Sequence, residues 1–137
     1  MLKREHRLTD GPSFGRAIRT GRRAGSRSVV VHVAAPGKHH DEQPEVPEQP
    51  RPPRVGLVVA KSVGNAVARN LVKRRLRHLM RERVTSLPLN ALVVVRALPP
   101  AAAASYQQLA DDLDHALGRA LRARAPRPAA PSVERER

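Results

Sequence analysis

The segment from residue 61 to residue 83 concentrates side chains of one chemical kind. It holds eight Lys and Arg residues and a single acid, Glu82, although like charges three or four positions apart destabilise a helix by roughly 0.2 to 0.5 kcal/mol per pair. On one helix, four residues share a side and a fifth flanks them: Asn70, Arg74, Arg77, Arg81 and Lys73. An apolar stripe lies well away from this side: Ala68, Val72, Leu76 and Leu79. Because Arg forks onto phosphate oxygens, the row predicts contact with an anionic polymer that runs along the helix.

Two other interpretations of the row stay open. Most charge runs are solvated faces, and some basic amphipathic helices lie on membranes. The near absence of acids and the predominance of Arg favour nucleic acid over a solvated face. The modest apolar stripe, which a sheet would cover, favours nucleic acid over a membrane.

Composition narrows the possible functions further. The chain has 137 residues, about one domain, and a net charge of +14, with a second basic block in residues 1–29. It has no Cys, which excludes disulfides, thiolate catalysis and Cys-ligated zinc. Phe14 and Tyr106 are its only aromatic residues, so phosphate contacts must dominate binding. No apolar run approaches the roughly 18 residues that span a bilayer, and we expect a soluble, cytoplasmic chain.

No catalytic or metal-binding residue is predicted in the protein itself. P-loop, H-E-x-x-H and G-x-S-x-G motifs are absent. One cluster of possible metal ligands, His39, His40, Asp41 and Glu42, falls in a proline-rich segment, residues 35–54, that we expect to be a flexible loop. A second cluster, Asp111, Asp112 and Asp114, is expected on the solvated side of a helix.

The remaining pattern predicts a small α/β domain over residues 1–121 and a disordered basic tail over residues 122–137. Phe14 and Ile18 share a face of a short helix that ends at Gly21, and strand candidates cover residues 28–34, 55–60 and 91–97. The basic segment joins the second and third candidates, which suggests a crossover with its helix on a sheet. The last helix begins with a capping box at Ser105 and Gln108. One face of it is expected in the core: Tyr106, Leu109, Leu113, Leu117 and Leu121.

The stretch K-S-V-G-N-A-V-A-R-N-L-V-K-R-R-L-R, residues 61–77, resembles the signature helix of the protein subunit of bacterial ribonuclease P. H-R-L followed by F-G-R-A-I-R-T-G resembles the N-terminal pattern of that family, and V-G-L-V-V-A-K and L-V-V-V-R-A resemble its strands around the signature. The resemblance implies a domain with a mixed sheet of about four strands and helices packed on it, an α/β or α+β sandwich. It also implies a left-handed strand–helix–strand crossover, whereas crossovers in general are right-handed.

The same resemblance implies what the residues do. Seven match positions associated with contact to the catalytic RNA or extend their row: Lys61, Arg69, Asn70, Lys73, Arg74, Arg77 and Arg81. Three match a cleft that holds the single-stranded 5′ leader of precursor tRNA: Phe14, Ile18 and His32. Leu71 and Ser62 depart from the family pattern, which has Arg and Lys there, while Arg75 adds a charge. Phosphodiester cleavage would belong to the RNA subunit and to Mg²⁺ bound mainly by it, in a holoenzyme of one protein and one RNA.

A different class of protein stays open beside this one. A structural RNA-binding protein of ribosomal type, with no part in tRNA processing, would carry a similar density of phosphate-binding charge. The joint presence of the signature helix and the Phe14 segment favours ribonuclease P.

Overall fold

The computed structural model describes residues 4–9, 11–34 and 52–122. In chain order, the helices and strands are α1 (Gly11–Thr20), β1 (Arg22–Gly25), β2 (Val29–Ala34), β3 (Arg54–Val59), α2 (Ala66–Arg83), β4 (Leu92–Ala97) and α3 (Tyr106–Arg122). Among these residues, no helix has the length and apolarity needed to cross a membrane.

The strands form one mixed sheet in the order β1-β2-β4-β3. Strand β2 is antiparallel to both of its neighbours, whereas β3 and β4 are parallel and are joined through α2. This arrangement confirms the expected α/β domain with a mixed four-stranded sheet. The left-handed sense expected for the crossover stays a prediction.

Strand β1 was not predicted from the sequence. It consists of two Arg residues, Ala and Gly, which have little intrinsic preference for strands. It lies at the edge of the sheet and pairs with β2 from Arg22 opposite Val33 to Gly25 opposite Val30. Pairing with a strongly β-branched neighbour therefore decides its conformation, and charged residues are well tolerated at a sheet edge.

Helices cover both faces of the sheet, so β2 is buried along its whole length. Val29, Val31 and Val33 belong to the main core, which α2 and α3 complete. The alternate residues of β2 face the opposite side, where α1 and Leu8 pack on the sheet. The α1 face and the α2–α3 face are therefore two separate surfaces of one sheet.

The segment before α1 covers the open edge of β3. The backbone N–H of Leu8 donates to the Val55 carbonyl over 2.9 Å, and Arg7 forms a parallel bridge with Val55. No pattern in the sequence predicts this pairing. It brings the Arg7 side chain to the same edge of the sheet as α2.

Helix α3 begins with the predicted capping box. The Gln108 N–H donates to the Ser105 hydroxyl over 3.1 Å, and the Ser105 N–H donates to the Gln108 side chain over 2.8 Å. The leucines of its expected core stripe are buried or half-buried. Tyr106 is the exception: as the first residue of the helix it lies at the margin of the core and is 39% exposed.

Several predictions concern residues at the margins of the described ranges. The flexible loop expected over residues 35–54 has its last residue, Arg54, in β3, and residues 35–51, with His39, His40, Asp41 and Glu42, lie outside the described part. Arg122, expected to open the disordered tail, is the last residue of α3. The remainder of the predicted tail also lies outside the described residues.

Candidate RNA-binding surfaces

The basic segment does not form the single helix that its sequence suggested. Residues Lys61–Val63 make a 3-10 turn, and Gly64 follows with φ 158° and ψ −168°, a conformation almost confined to glycine. The Asn65 side chain then accepts the Ala68 N–H over 2.9 Å and caps α2. Lys61 is exposed but lies before the helix, outside the row on α2.

Helix α2 buries one side and exposes the other, as its periodicity predicts. Val72, Leu76, Leu79 and Met80 are buried. The opposite side presents the predicted cation row, in which Asn70, Arg74 and Arg81 are exposed while Lys73 and Arg77 are half-buried. Within the described residues, no carboxylate or carbonyl pairs with the three arginines of this row. We call Asn70, Lys73, Arg74, Arg77 and Arg81 the α2 row.

Three other arginines of the segment bind the protein itself. Arg69 donates from Nε to the Gly64 carbonyl over 3.1 Å and holds the start of α2. Arg75 donates to the Ala104 carbonyl, also over 3.1 Å, just before α3. Arg75 had been expected to reinforce the charge of the row, but its guanidinium points toward α3 instead.

Arg83 joins the end of α2 to α3. Its guanidinium donates to both carboxylate oxygens of Asp114, over 3.0 Å for the longer bond, and to the Leu79 carbonyl over 2.8 Å. The hydrogen bond from Arg83 holds the pKa of Asp114 below its usual value. The high charge of the segment thus serves two purposes, since part of it attaches α2 to α3.

The aspartates of α3 are only partly the solvated cluster that we expected. Asp111 is exposed, but Asp114 pairs with Arg83 and Asp112 accepts the hydroxyl of the buried Ser28 over 2.6 Å. The expectation failed because the partners lie 84 and 31 residues away in sequence. In the described residues, no three His, Asp or Glu side chains are grouped closely enough to hold a metal ion.

The candidate leader residues lie on the α1 face of the sheet. His32 of β2 pairs with Val94 of β4, which in turn pairs with Gly56 of β3, so these residues form one row across three strands. Phe14 lies over the far end of this row: a Cβ on Gly56 would come within 2.2 Å of the Phe14 ring. Strands are about 4.8 Å apart, which puts the two ends of the row about 10 Å from each other.

The exposure of these residues differs. Phe14 is half-buried, and Ile18, one turn later on α1, is 42% exposed. His32, which the resemblance assigns to the leader cleft, is only 4% exposed because the sheet and α1 enclose it, so its side chain cannot reach a bound strand. Neither of its ring nitrogens has a hydrogen-bond partner in the described structure. Burial, followed by the nearby charges of Arg96 and Arg23, lowers the pKa of His32, so the ring is neutral at pH 7.

An open groove of about 360 Å³ connects the two surfaces around the edge of β3. Phe14 lines it from the α1 side, Lys73 and Arg77 line it from α2, and Arg7 lines it from the N-terminal segment. The groove therefore places one aromatic ring beside three cations. The position of Arg7 depends on the edge pairing with Val55, which has no signal in the sequence.

Comparison with known proteins identifies the family. The ribonuclease P family model matches residues 2–121. The chain is 56% identical over 117 residues to the ribonuclease P protein component of a Nocardioides strain, covering 85% of this chain and 92% of that one. It is 53% identical over 122 residues to the Streptomyces avermitilis component, covering 88% and 96%.

A solved structure agrees with these matches. The Staphylococcus aureus ribonuclease P protein is 29% identical, with a TM-score of 0.65 over 84% of this chain and 94% of that one. A ribosomal-type protein is not favoured by any of these similarities. The chain belongs to the ribonuclease P protein family and is the protein subunit of an endoribonuclease that associates with the ribonuclease P RNA.

Proposed function

We propose that the chain helps the catalytic RNA to remove the 5′ leader of precursor tRNA by binding both RNAs at once. The α2 row, with Arg69 and Lys61 at its start, contacts the catalytic RNA. The α1 face of the sheet holds the single-stranded leader through Phe14 and Ile18, whereas His32 is enclosed between the sheet and α1 and supports this face from within. We call this face the leader surface. The holoenzyme contains one protein and one RNA and works in the cytoplasm.

One observation carries this proposal: α2 buries its apolar side while Arg74, Arg77 and Arg81 are left without protein partners in the described structure. An arginine that is already paired with a carboxylate, as Arg83 is with Asp114, has its charge compensated within the protein and has less to gain from a phosphate. Each exposed arginine that meets a phosphate releases counterions and donates charged hydrogen bonds. The row is therefore suited to a phosphate backbone that follows the helix.

The leader surface offers a different kind of contact. The half-buried Phe14 ring lines the groove, where a leader base can stack on it, and Arg7, Lys73 and Arg77 line the same groove. A single strand suits this site because its bases are free to leave the stack. The groove leads directly from the sheet to α2, so substrate and catalytic RNA would lie side by side.

The two surfaces do not fit a metal ion of their own. Mg²⁺ prefers carboxylate and other oxygen ligands, whereas these surfaces carry cations, apolar groups and one neutral imidazole. We therefore assign the Mg²⁺ and the phosphodiester hydrolysis to the RNA subunit. The protein contributes binding and orientation.

Reconstitution tests the proposal. The full chain is added to a bacterial ribonuclease P RNA at low Mg²⁺, and cleavage of a precursor tRNA is followed by gel electrophoresis. We expect faster cleavage at the mature 5′ end than with the RNA alone. No acceleration, or cleavage at other positions only, would contradict the proposed function.

A further inference from the structure

Tyr106 and His78 form an exposed pair of rings where α3 begins beside α2. Their ring centroids are 6.4 Å apart and their planes meet at 70°, an edge-to-face arrangement. Tyr106 is 39% exposed and His78 is also exposed. Tyr106 is the only tyrosine of the chain, and it is not used by the core or by the leader surface.

The ring pair lies within the field of the α2 row. His78 follows Arg74 by four residues and precedes Arg81 by three, and residues at these spacings are neighbours on a helix surface. The only acid of α2, Glu82, also follows His78 by four residues, but its carboxylate lies 3.6 Å from the Arg83 guanidinium, which compensates its charge. The surface around the rings is thus aromatic and positive.

Two arginines hold the rings in place from either side. Arg75 binds the Ala104 carbonyl two residues before Tyr106, and Arg83 binds Asp114 two turns after it. The capping box at Ser105 fixes the turn in which Tyr106 lies. A ring whose position is fixed before binding loses less entropy when a partner stacks on it.

We propose that Tyr106 and His78 form a stacking site for an unpaired base of the catalytic RNA, whose flanking phosphates bind Arg74 and Arg81. The occupant is RNA because phosphates match the charge beside the rings, and the base is unpaired because only such a base can leave its own stack. The site rests on the proposed function, in which α2 meets the catalytic RNA. It adds to a charge-based interface one contact that depends on base stacking.

The test measures affinity for a bacterial ribonuclease P RNA over a range of salt concentrations. Tyr106→Leu keeps apolar bulk but removes the ring, Tyr106→Phe keeps the ring, and Leu89→Ala is a control at an exposed apolar residue outside α2 and α3. We expect Tyr106→Leu to weaken binding about 5- to 100-fold at every salt concentration. Its salt dependence should match the parent, because no phosphate contact is lost. Tyr106→Phe and Leu89→Ala should bind like the parent.

A second measurement observes the ring directly. Because the chain has one Tyr and no Trp, its intrinsic fluorescence comes from Tyr106, and a stacked base should quench it when RNA binds. If Tyr106→Leu disturbs the fold by circular dichroism, His78→Ala and the fluorescence of the parent decide the question. Unquenched fluorescence in the complex, or parental RNA affinity in a folded Tyr106→Leu or His78→Ala variant, would overturn the stacking site.

Arg74→Ala, measured in parallel, separates this site from the proposed function. A flatter salt dependence in Arg74→Ala with no effect of Tyr106→Leu would eliminate the stacking site and retain α2 as the RNA surface. No effect of either variant would remove α2 from the interface. A surface that pairs two copies of the chain would instead show a Tyr106-dependent change in sedimentation of the free protein and no change in RNA affinity, which also contradicts the proposal.

Discussion

The α2 row and the α1 face of the sheet differ in charge, exposure and the range of their forces. Arg74 and Arg81 are exposed and without partners in the described structure, and their charge acts over about 8 Å at physiological ionic strength. His32 is buried and neutral, and Phe14 is half-buried against Gly56. These groups act only on atoms in contact with them.

The difference assigns separate tasks to the two surfaces. A row of cations without protein partners attracts any phosphate backbone and releases counterions, so its binding depends strongly on salt. A half-buried aromatic ring binds a base by stacking and discriminates through shape, with little salt dependence. In one small domain, the first surface would supply affinity for the catalytic RNA and the second would distinguish precursor from mature tRNA.

The largest effect is expected when charge is removed from the α2 row. Arg74→Ala with Arg81→Ala, which removes two exposed cations that do not line the groove, should weaken binding of the catalytic RNA by about 1.5 to 3 kcal/mol for each charged hydrogen bond lost. The slope of log affinity against log salt should become shallower by about 0.7 to 0.9 per phosphate released. The preference for precursor over mature tRNA should remain, because Phe14 is untouched. Filter binding over a salt series measures both quantities.

The matched control for this pair removes the same charge elsewhere. Arg119→Ala with Arg122→Ala lies on the exposed end of α3, and it should reduce affinity only slightly. Equal losses in the two double variants would mean that net charge, rather than the α2 row, determines binding.

The faces of α2 were predictable, whereas the partners of its arginines were not. Val72 and Leu76 repeat with the helical period, and any sheet that packs on the helix must meet them. Arg75, Arg77 and Arg83 are the same residue type within one segment, and their uses depend on what lies opposite. Arg75 donates a hydrogen bond to a carbonyl 29 residues away, and Arg83 binds a carboxylate 31 residues away. Arg77 lines the groove.

The arrangement of the leader surface was likewise only partly predictable from the sequence. Phe14 and Ile18 could be placed on one face of a helix from their spacing, and the resemblance to ribonuclease P proteins suggested their use. The burial of His32 depends on three elements that meet only in the folded sheet: β1 with Arg23, β4 with Val94, and α1. Because β1 has weak strand propensity, the sequence offered no sign of the first of these.

The next largest effect is expected when the Phe14 ring is removed from the leader surface. Phe14→Leu removes the ring while keeping apolar volume above Gly56, so the fold should persist. Affinity for precursor tRNA with a leader of several nucleotides should fall by about 1 to 3 kcal/mol if a base stacks on the ring. The affinity of the holoenzyme for mature tRNA and the salt dependence of catalytic RNA binding should not change.

One result would contradict that assignment of Phe14, and a second variant serves as its control. Equal losses for precursor and mature tRNA would show that Phe14 supports the whole domain rather than the leader. Phe14→Ala, compared by circular dichroism, shows how much of any loss comes from packing, because it also opens space above Gly56.

A smaller effect is expected on the pH dependence of folding stability, to which the buried His32 of the α1 face contributes. The pKa of His32 lies below the ordinary histidine value of 6.5 in the folded protein, so the unfolded chain takes up a proton first as the pH falls. The stabilisation is therefore complete above about pH 6.5 and is lost below it, by about 1.4 kcal/mol for each pH unit between the folded and unfolded pKa values. Urea unfolding at pH 7.5 and 5.5 should show a smaller decrease for His32→Leu than for the parent.

The control for the histidine experiment is His115→Gln, which changes an exposed residue of α3. It should follow the parent between the two pH values. If His32→Leu also loses as much stability as the parent on acidification, the buried imidazole is not the source of the pH dependence.

The smallest effect is expected when a charge is added to α2. Leu71 is 36% exposed and lies three residues before Arg74, at a position where the family pattern has Arg. Leu71→Arg should fold normally and tighten binding of the catalytic RNA about two- to fivefold, because repulsion from Arg74 and Arg75 offsets part of the new phosphate contact. The salt dependence should become steeper by less than about 0.9, while leader affinity stays constant. Loss of folding would show instead that Leu71 supports the core. A change in leader affinity alone would show that this position faces the substrate and not the catalytic RNA.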